Sequence, residues 1–323
     1  MTVTQVILFC DESGAKGYAD QNEASDGEVG VFAGIMLPEN LIPTVSADFQ
    51  AIYDRYKPTS GKFHIADLDT KAREALRAEI FNAITAHQLP CFWYAVHVAG
   101  FYDYHRQLRD SKEQSYLDQQ SRNPDIRLGS FRALNPSLHV ALFQGLYSLV
   151  VAFLAEREQK RVEIDIRSDN IDAPLLKEFE DAAVELLSDQ PTVHRNTAFH
   201  AVKKQVLERQ IIIQASLPDE LELEIVVERL VIDTDHADDP LVLAADVLAN
   251  SLNHHFLNRP TSEKYEALNH REAILGHPLH QSLDTFWDWS VDLLGDRTWS
   301  HPKAAYRQKH EHDKATDPAP DAA

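Results

Sequence analysis

The sequence predicts an α/β fold in which helices flank a mixed β-sheet. Three observations predict it. Short β-branched apolar runs recur in the first hundred residues, at 4–10, 29–37 and 89–101. Residues 161–168 alternate cleanly, with Val162, Ile164 and Ile166 on one strand face. Between and after these runs lie long segments with apolar residues at helical spacing, such as 69–87 and 137–156. The background is an ordinary globular chain of 323 residues, 44% hydrophobic and 25% charged, long enough for a sizeable core without disulfide staples.

Taken in order, residues 4–10 form a buried strand that stops at the turn Asp11-Glu12-Ser13-Gly14. Polar, Gly-containing residues 14–28 follow, and 29–37 (VGVFAGIML) make a second strand ended by Pro38, the two forming an antiparallel hairpin with a long connection. Residues 45–57 suit a short helix, and 57–61 (KPTSG) a loop. Residues 69–87 form a helix with Ala72, Leu76, Ile80, Ala83 and Ile84 on one face, and the aromatic-rich run 89–101 a third strand. Residues 102–135 read as an irregular insertion or lid, and 137–156 as a long amphipathic helix. The alternating strand 161–168 is followed by a helix carrying Pro174 in its first turn and running to about residue 187. Strand-like runs follow in 209–233, then a helix from Pro240 to about Phe256, then helical pieces near 262–274 and 280–294.

Three strands of antiparallel character, a helical insertion between the second and third, and alternating helices and strands after them make the topology of the ribonuclease H-like fold. The expected organisation is a ribonuclease H-like domain over residues 1–260, a helical C-terminal extension packed on it over 261–302, and a disordered polar tail over 303–323.

Charge narrows the function classes. The chain has 31 Lys and Arg against 51 Asp and Glu, a net −20, which argues against a protein that coats nucleic acid with a basic surface. The excess is concentrated in residues 1–30 (net −5), 156–189 (net −6) and 215–250 (net −9), while 190–214 is net +3. Acid in three separated segments reads either as solvated faces or as carboxylates converging on a divalent metal. Only two cysteines, Cys10 and Cys91, are present, each in an apolar run, which excludes a disulfide framework. The N-terminus is no signal peptide, and no apolar stretch reads as a membrane span, so a cytoplasmic location with no membrane partner is expected. There is no GxxxxGK[ST] loop, no GxGxxG after a strand and no GxSxG elbow, which removes the usual support for triphosphatase, dinucleotide-dependent and serine-hydrolase chemistry.

The residues with chemical potential fall in the acidic segments. Asp11 stands at the end of the first strand, anchored yet open to solvent; Glu12 points to the opposite face if the strand continues. The alternative for both is plain turn chemistry. Asp165 lies within the 161–168 strand, Asp169 at its end and Asp172 where it would cap the next helix; Asp169 is the first catalytic candidate and Asp165 the second. Asp246 sits on a mostly apolar helix, where with Asn250 and Asn253 it forms one polar ridge. An acid there costs energy unless paired or metal-bound. His64 follows a loop and precedes a helix, where it could bind phosphate or shuttle a proton. The histidine spacings match no complete zinc set.

Four segments in order resemble the DUF3800 family: FCDESG (9–14), KFHIADL (62–68), VEIDIRSDNID (162–172) and DPLVLAADVLA (239–249). The family pattern has an Asp-Glu-Ser turn after the first strand, a histidine after the second, and a late helix with leucine, glutamine, alanine and aspartate. Here that helix reads Leu243-Ala244-Ala245-Asp246, with alanine in place of the frequent glutamine. The resemblance spans residues 5–256 and implies a ribonuclease H-like fold and an acidic site. By analogy with that fold, Asp11, Asp169 (or Asp165) and Asp246 would hold two Mg²⁺ or Mn²⁺ ions, with Glu12 a further carboxylate. His64 or Lys62 would contact phosphate. The implied activity is hydrolysis of nucleic-acid phosphodiesters by in-line attack of water. Lys203, Lys204 and Arg209 are the best basic strip for a nucleic-acid backbone, or else a solvated helix face. A partner protein or a second copy could also supply nucleic-acid binding. The alternative function is a non-catalytic binding or regulatory protein with a degenerate acidic site; a two-carboxylate glycosidase ranks last, because no sugar-platform aromatics surround the acids.

Overall fold

The computed structural model describes residues 3–59, 63–128, 135–169, 171–187, 192–213, 225–285, 298–305 and 307. Its strands are β1 (Thr4–Gly14), β2 (Val29–Pro38), β3 (Cys91–His97), β4 (Ile126–Leu128), β5 (Arg161–Ser168), β6 (Thr192–His200), β7 (Gln205–Ile213) and β8 (Val226–Asp233). Its helices are α1 (Ile42–Tyr56), α2 (Thr70–Ala86), α3 (Val98–Arg122), α4 (Leu138–Glu156), α5 (Ala173–Leu186), α6 (Pro240–Leu257) and α7 (His280–Leu283). The fold is mixed α/β. Five strands form one sheet in the order β3-β2-β1-β5-β8, and β4-β6-β7 form a separate three-stranded sheet.

In the larger sheet β1–β2 and β2–β3 are antiparallel, whereas β1–β5 and β5–β8 are parallel. Both flanks are covered. The register sets Glu12 opposite Phe32, and the Phe32 ring packs against Phe143 of α4 and Phe179 of α5, so this is the α4–α5 face. Asp11, one residue along, belongs to the other face, where α6 lies on β1 and β2 with α1 beside it. Residues on β1 and β2 are apolar on both faces because both are buried, which is why these strands read as continuous apolar runs.

The expected helical insertion between β2 and β3 is α1 and α2, the latter capped by Asp69, whose Oδ1 accepts from Ala72 N at 2.8 Å. The third strand is shorter than expected and ends at His97. Residues 102–135 are not an irregular lid: α3 runs through them to Arg122. Burial on α3 is confined to its first turns, so it has no apolar stripe to read. The rest is held by neighbours one turn apart, such as Gln107 to Asp103 at 2.8 Å and Gln114 to Asp118 at 2.9 Å. The helix α4 is also corrected. It is long and apolar enough by length and composition to cross a bilayer, contrary to expectation, but most of it is buried between the sheet and α5. Asp172 occupies the N-cap position of α5 without a side-chain capping bond. Strand β6 was not expected: its sequence lacks apolar alternation, and its pairing with β7 forms it.

The C-terminal segment seals the free edge of β3. Asn269 accepts from Ala95 N and donates to Ala95 O, both at 2.8 Å, in the manner of a neighbouring strand. Trp93 Nε1 donates to Leu268 O at 3.2 Å, and Thr285 Oγ1 to Cys91 O at 3.3 Å. A Cβ on Gly100 would stand 1.9 Å from Trp299 O, so only glycine admits that segment. The described part of 261–302 holds only short helical pieces, Arg271–Ile274 and α7. Past residue 302, where a disordered tail was expected, Ala304 is buried and Arg307 Nη2 bonds Asp103 Oδ2 at 2.8 Å. Residues 286–294 of the last expected helix, and 308–323 of the tail, lie outside the described residues.

Asn269→Ala would leave the Ala95 N–H and C=O buried without partners, at an expected cost of about 2–3 kcal/mol in urea unfolding. A loss below about 0.5 kcal/mol would mean that water replaces both bonds.

Candidate functional site

The parallel pairing of β1 with β5 builds the site. Its register ends at Cys10 opposite Ser168, so Asp11 and Asp169 follow where this pairing stops; the turn expected at residues 11–14 is instead strand, because β1 stays paired with β2 as far as Gly14. Above them α6 brings in Asp246. The polar ridge on this helix is satisfied by three different segments. Asp246 Oδ2 accepts from Ile65 N at 3.1 Å, Asn250 Oδ1 from Arg77 Nη2 at 3.1 Å, and Asn253 Nδ2 donates to Val29 O at 2.9 Å. The first of these bonds sets the loop that carries His64. Its ring stands 3.9 Å from Asp169 Oδ2 through Nε2 and 3.9 Å from Asp246 Oδ2 through Nδ1. Arg73 holds the same loop by donating to Ala66 O and Leu68 O, each at 3.0 Å.

Burial and like charge raise the pKa of two of these acids. Asp11 is 8% exposed; burial, then the charges of Glu12 and Asp246, push its carboxyl well above the usual aspartate range. Asp246 is also raised, by burial first and by Asp169 and Glu12, against the opposing pull of the Ile65 N–H and His64. Glu12 goes the other way. Burial would raise it, but His139, whose Nε2 lies 3.5 Å from Glu12 Oε2, and Lys16, ion-paired to Oε1, hold it well below the usual range. Burial would lower the Lys16 pKa, yet the charges of Glu12, Asp11 and Asp169 raise it.

Of the sequence candidates, the structure gathers Asp11, His64, Asp169 and Asp246 on the α6 face; Glu12 is on the opposite face of β1, against His139 of α4, and reaches them through its charge. Asp165 is not among them. It lies four residues back along β5, roughly 13 Å by strand rise, and is ion-paired to Arg167 at 3.0 Å. Lys62 lies outside the described residues. Lys203 and Lys204 are in the turn between β6 and β7, so the expectation of a helix face is corrected; nothing is described of the Arg209 side chain. Sequence reasoning missed Lys16 and His139. Lys16 is the one basic residue in the first thirty, a signal available beforehand. Nothing local sets His139 apart from the other histidines.

The group consists of hard oxygen donors with one histidine and one lysine at its rim. Such a set suits Mg²⁺ or Mn²⁺, and the repulsion between buried carboxylates is what a bound cation relieves. As they stand, no three His, Cys, Asp or Glu side chains among the described residues converge closely enough to hold a metal ion. A groove of about 690 Å³ lies elsewhere, past the end of α6, lined by His254, His255, Arg259 and Glu263 among others. The carboxylate group has the stronger chemical case, because it brings acids from three separate elements to one place.

No protein-family model matches this sequence, and a search among curated proteins finds no match.

The raised pKa of Asp11 makes a signed prediction. Ionising it costs stability at high pH, and that cost fades as pH falls toward the ordinary aspartate range. Asparagine carries no such cost and can still accept the bond from Glu12 N, made at 2.9 Å in the wild type. Asp11→Asn should therefore be more stable than wild type at pH 8, with the gap closing toward pH ~4. Chemical denaturation across that range tests this, and a gap that widens on acidification would refute the repulsion.

Proposed function

We propose that the chain is a divalent-metal-dependent phosphodiester hydrolase acting on nucleic acid, with a ribonuclease H-like fold and kinship to the DUF3800 family. The observation that carries this reading is the meeting of Asp11, Asp169 and Asp246, from three separated acidic segments, in one electrostatic group. The fold reading is supported by the sheet, whose three antiparallel strands are followed by two parallel ones on the β1 side. Two buried free thiols, Cys10 and Cys91, suit a reducing, cytoplasmic setting.

Asp11, Asp169 and Asp246 would hold Mg²⁺ or Mn²⁺, which when bound supplies Lewis acidity toward phosphoryl oxygen and a lowered pKa for the attacking water. The chain's own groups do the rest. His64, between two of the acids and 42% exposed at its side chain, is placed to take a proton from water or give one to the leaving oxygen. Lys16, half exposed at the rim, is placed to meet a phosphate oxygen once one enters. Arg73 fixes the backbone on which His64 rides.

A second reading, a non-catalytic binding or regulatory protein, is favoured by one observation: His139 and Lys16 occupy Glu12, and the acids do not converge on a metal-sized space among the described residues.

Thermal melting with and without millimolar Mn²⁺ separates the two. Wild type is expected to gain several degrees, since ligand at a hundred times its Kd adds about 2.7 kcal/mol. Asp246→Asn should lose that gain and reduce metal-dependent oligonucleotide cleavage at least ~100-fold. Absence of both the shift and the cleavage in wild type would leave the regulatory reading in possession.

A further inference from the structure

The smaller sheet is built largely from a basic stretch of an acidic chain. Residues 190–214 are net +3 in a chain of net −20, and within them β6 and β7 form a hairpin whose tip carries Val202, Lys203 and Lys204, all exposed, with Val202 at 70%. Arg127 of β4, Phe199 of β6 and Val206 of β7 are consecutive cross-strand partners, so they stand on one face in a row. That face is open: Phe199 is 40% and Val206 63% exposed, and Arg127 is exposed as well. Among the described residues no carboxylate is ion-paired to Arg127, Lys203 or Lys204. An aromatic ring and an aliphatic neighbour beside Arg127, with Lys203 and Lys204 at the hairpin tip, form a stacking platform with cations at its margin; one exposed acid, Glu208, shares the face two residues beyond Val206.

We propose that this face of the β4-β6-β7 sheet is a docking surface for single-stranded nucleic acid. The inference rests on the nucleic-acid reading above for the class of ligand, but needs neither metal nor the acidic group. Charge complementarity decides the occupant. A polyanion is repelled by an acidic surface and finds positive potential on the hairpin, whereas a second copy would bring its own three cations against these three. Bases stack on Phe199, and Lys203, Lys204 and Arg127 neutralise flanking phosphates. Three phosphate contacts predict modest affinity and a log–log salt slope near −2.

The test is fluorescence anisotropy of labelled 20-nucleotide single strands, DNA and RNA, with the full chain in EDTA so that cleavage plays no part. Wild type should bind at low salt with a slope near −2. Lys203→Glu with Lys204→Glu should weaken binding at least ~10-fold and bring the slope to −1 or shallower. Phe199→Ala should weaken it about tenfold with the slope unchanged. Absence of binding by wild type, or equal binding by all variants, overturns the proposal. So does a preference for duplex over single strands. If the variants instead change the sedimentation of the chain and not its oligonucleotide affinity, the face joins two copies and the proposal falls. Binding in EDTA without cleavage in Mn²⁺ would sustain the hairpin and sink the hydrolase; cleavage with hairpin-independent binding would do the reverse. The lysine pair lies at an exposed turn, so its variant stays informative even where Phe199→Ala misfolds.

Discussion

The packing of α6 on β1 and β2 is the constraint on which the rest of the structure depends, because the helix is buried along most of its length yet carries a polar ridge. Burying Asp246, Asn250 and Asn253 without partners would cost several kcal/mol. Their partners come from three places: the loop bearing His64, α2, and the first residue of β2. Sliding the helix by one turn, or rotating it by one residue, would orphan all three at once. A polar ridge in which each residue has its own partner therefore selects a single register, which apolar packing alone would leave degenerate. Gly14 belongs to the same lock. Its φ of +84° turns the chain at the end of β1, and a Cβ there would strike both Asn253 Nδ2 and Val29 O at 2.3 Å.

Register then becomes electrostatics. With α6 fixed, Asp246 faces the point where the β1–β5 pairing stops and Asp11 and Asp169 follow. The contrast with Glu12 is instructive, since it neighbours Asp11 on the same strand and is also largely buried. The pleat sends the two carboxylates to opposite faces. On the α6 face Asp11 meets further acid and is raised; on the α4 face Glu12 meets His139 and Lys16 and is lowered. One strand end thus holds a reluctant anion and a settled one. The settled charge of Glu12 adds to the field that keeps Asp11 and Asp246 raised.

Much of this was legible in the sequence, for identifiable reasons. Strands β1, β2 and β5 announce themselves because their burial is regular, and α2 because it is half-buried with an Asp cap. Asp11, Asp169 and Asp246 were singled out by their expected places at two strand ends and on an apolar helix; the three-way acid distribution agreed with that choice but, with 6 to 11 acids in each segment, could not have made it. What failed were elements whose stability is not written locally. The helix α3 is held by polar neighbours and a buried first turn, so hydrophobic periodicity is silent along it. Strand β6 exists through its partner β7. The span-like composition of α4 reflects burial on nearly every side, which no one-sided pattern reveals. Asp165 was ambiguous because strand parity gives it the same face as Asp169, and only Arg167 and the distance along β5 separate them. His139 is significant only through a contact across the sheet, 127 residues away in sequence from Glu12, which no local reading reaches.

On the proposed function, the distribution of charge would resolve a tension between the acidic surface and a nucleic-acid substrate. Affinity for a polyanion rests on neutralising phosphates, and a group of carboxylates does the opposite. Were binding and reaction required of the same residues, each added acid would weaken the one as it built the other. Segregation removes the conflict. The cations sit on the β4-β6-β7 sheet, and the acids on β1, just after β5 and on α6. The cost of segregation is affinity, since three cations on a small hairpin cannot outweigh a −20 chain at high salt. On the proposed function, weak, salt-sensitive capture on the hairpin would be followed by transfer to the acid group, whose charge a bound cation would offset. Burial and mutual repulsion both raise Asp11 and Asp246, and were a divalent cation to bind there, the less comfortable the carboxylates are as neighbours, the more free energy it would recover.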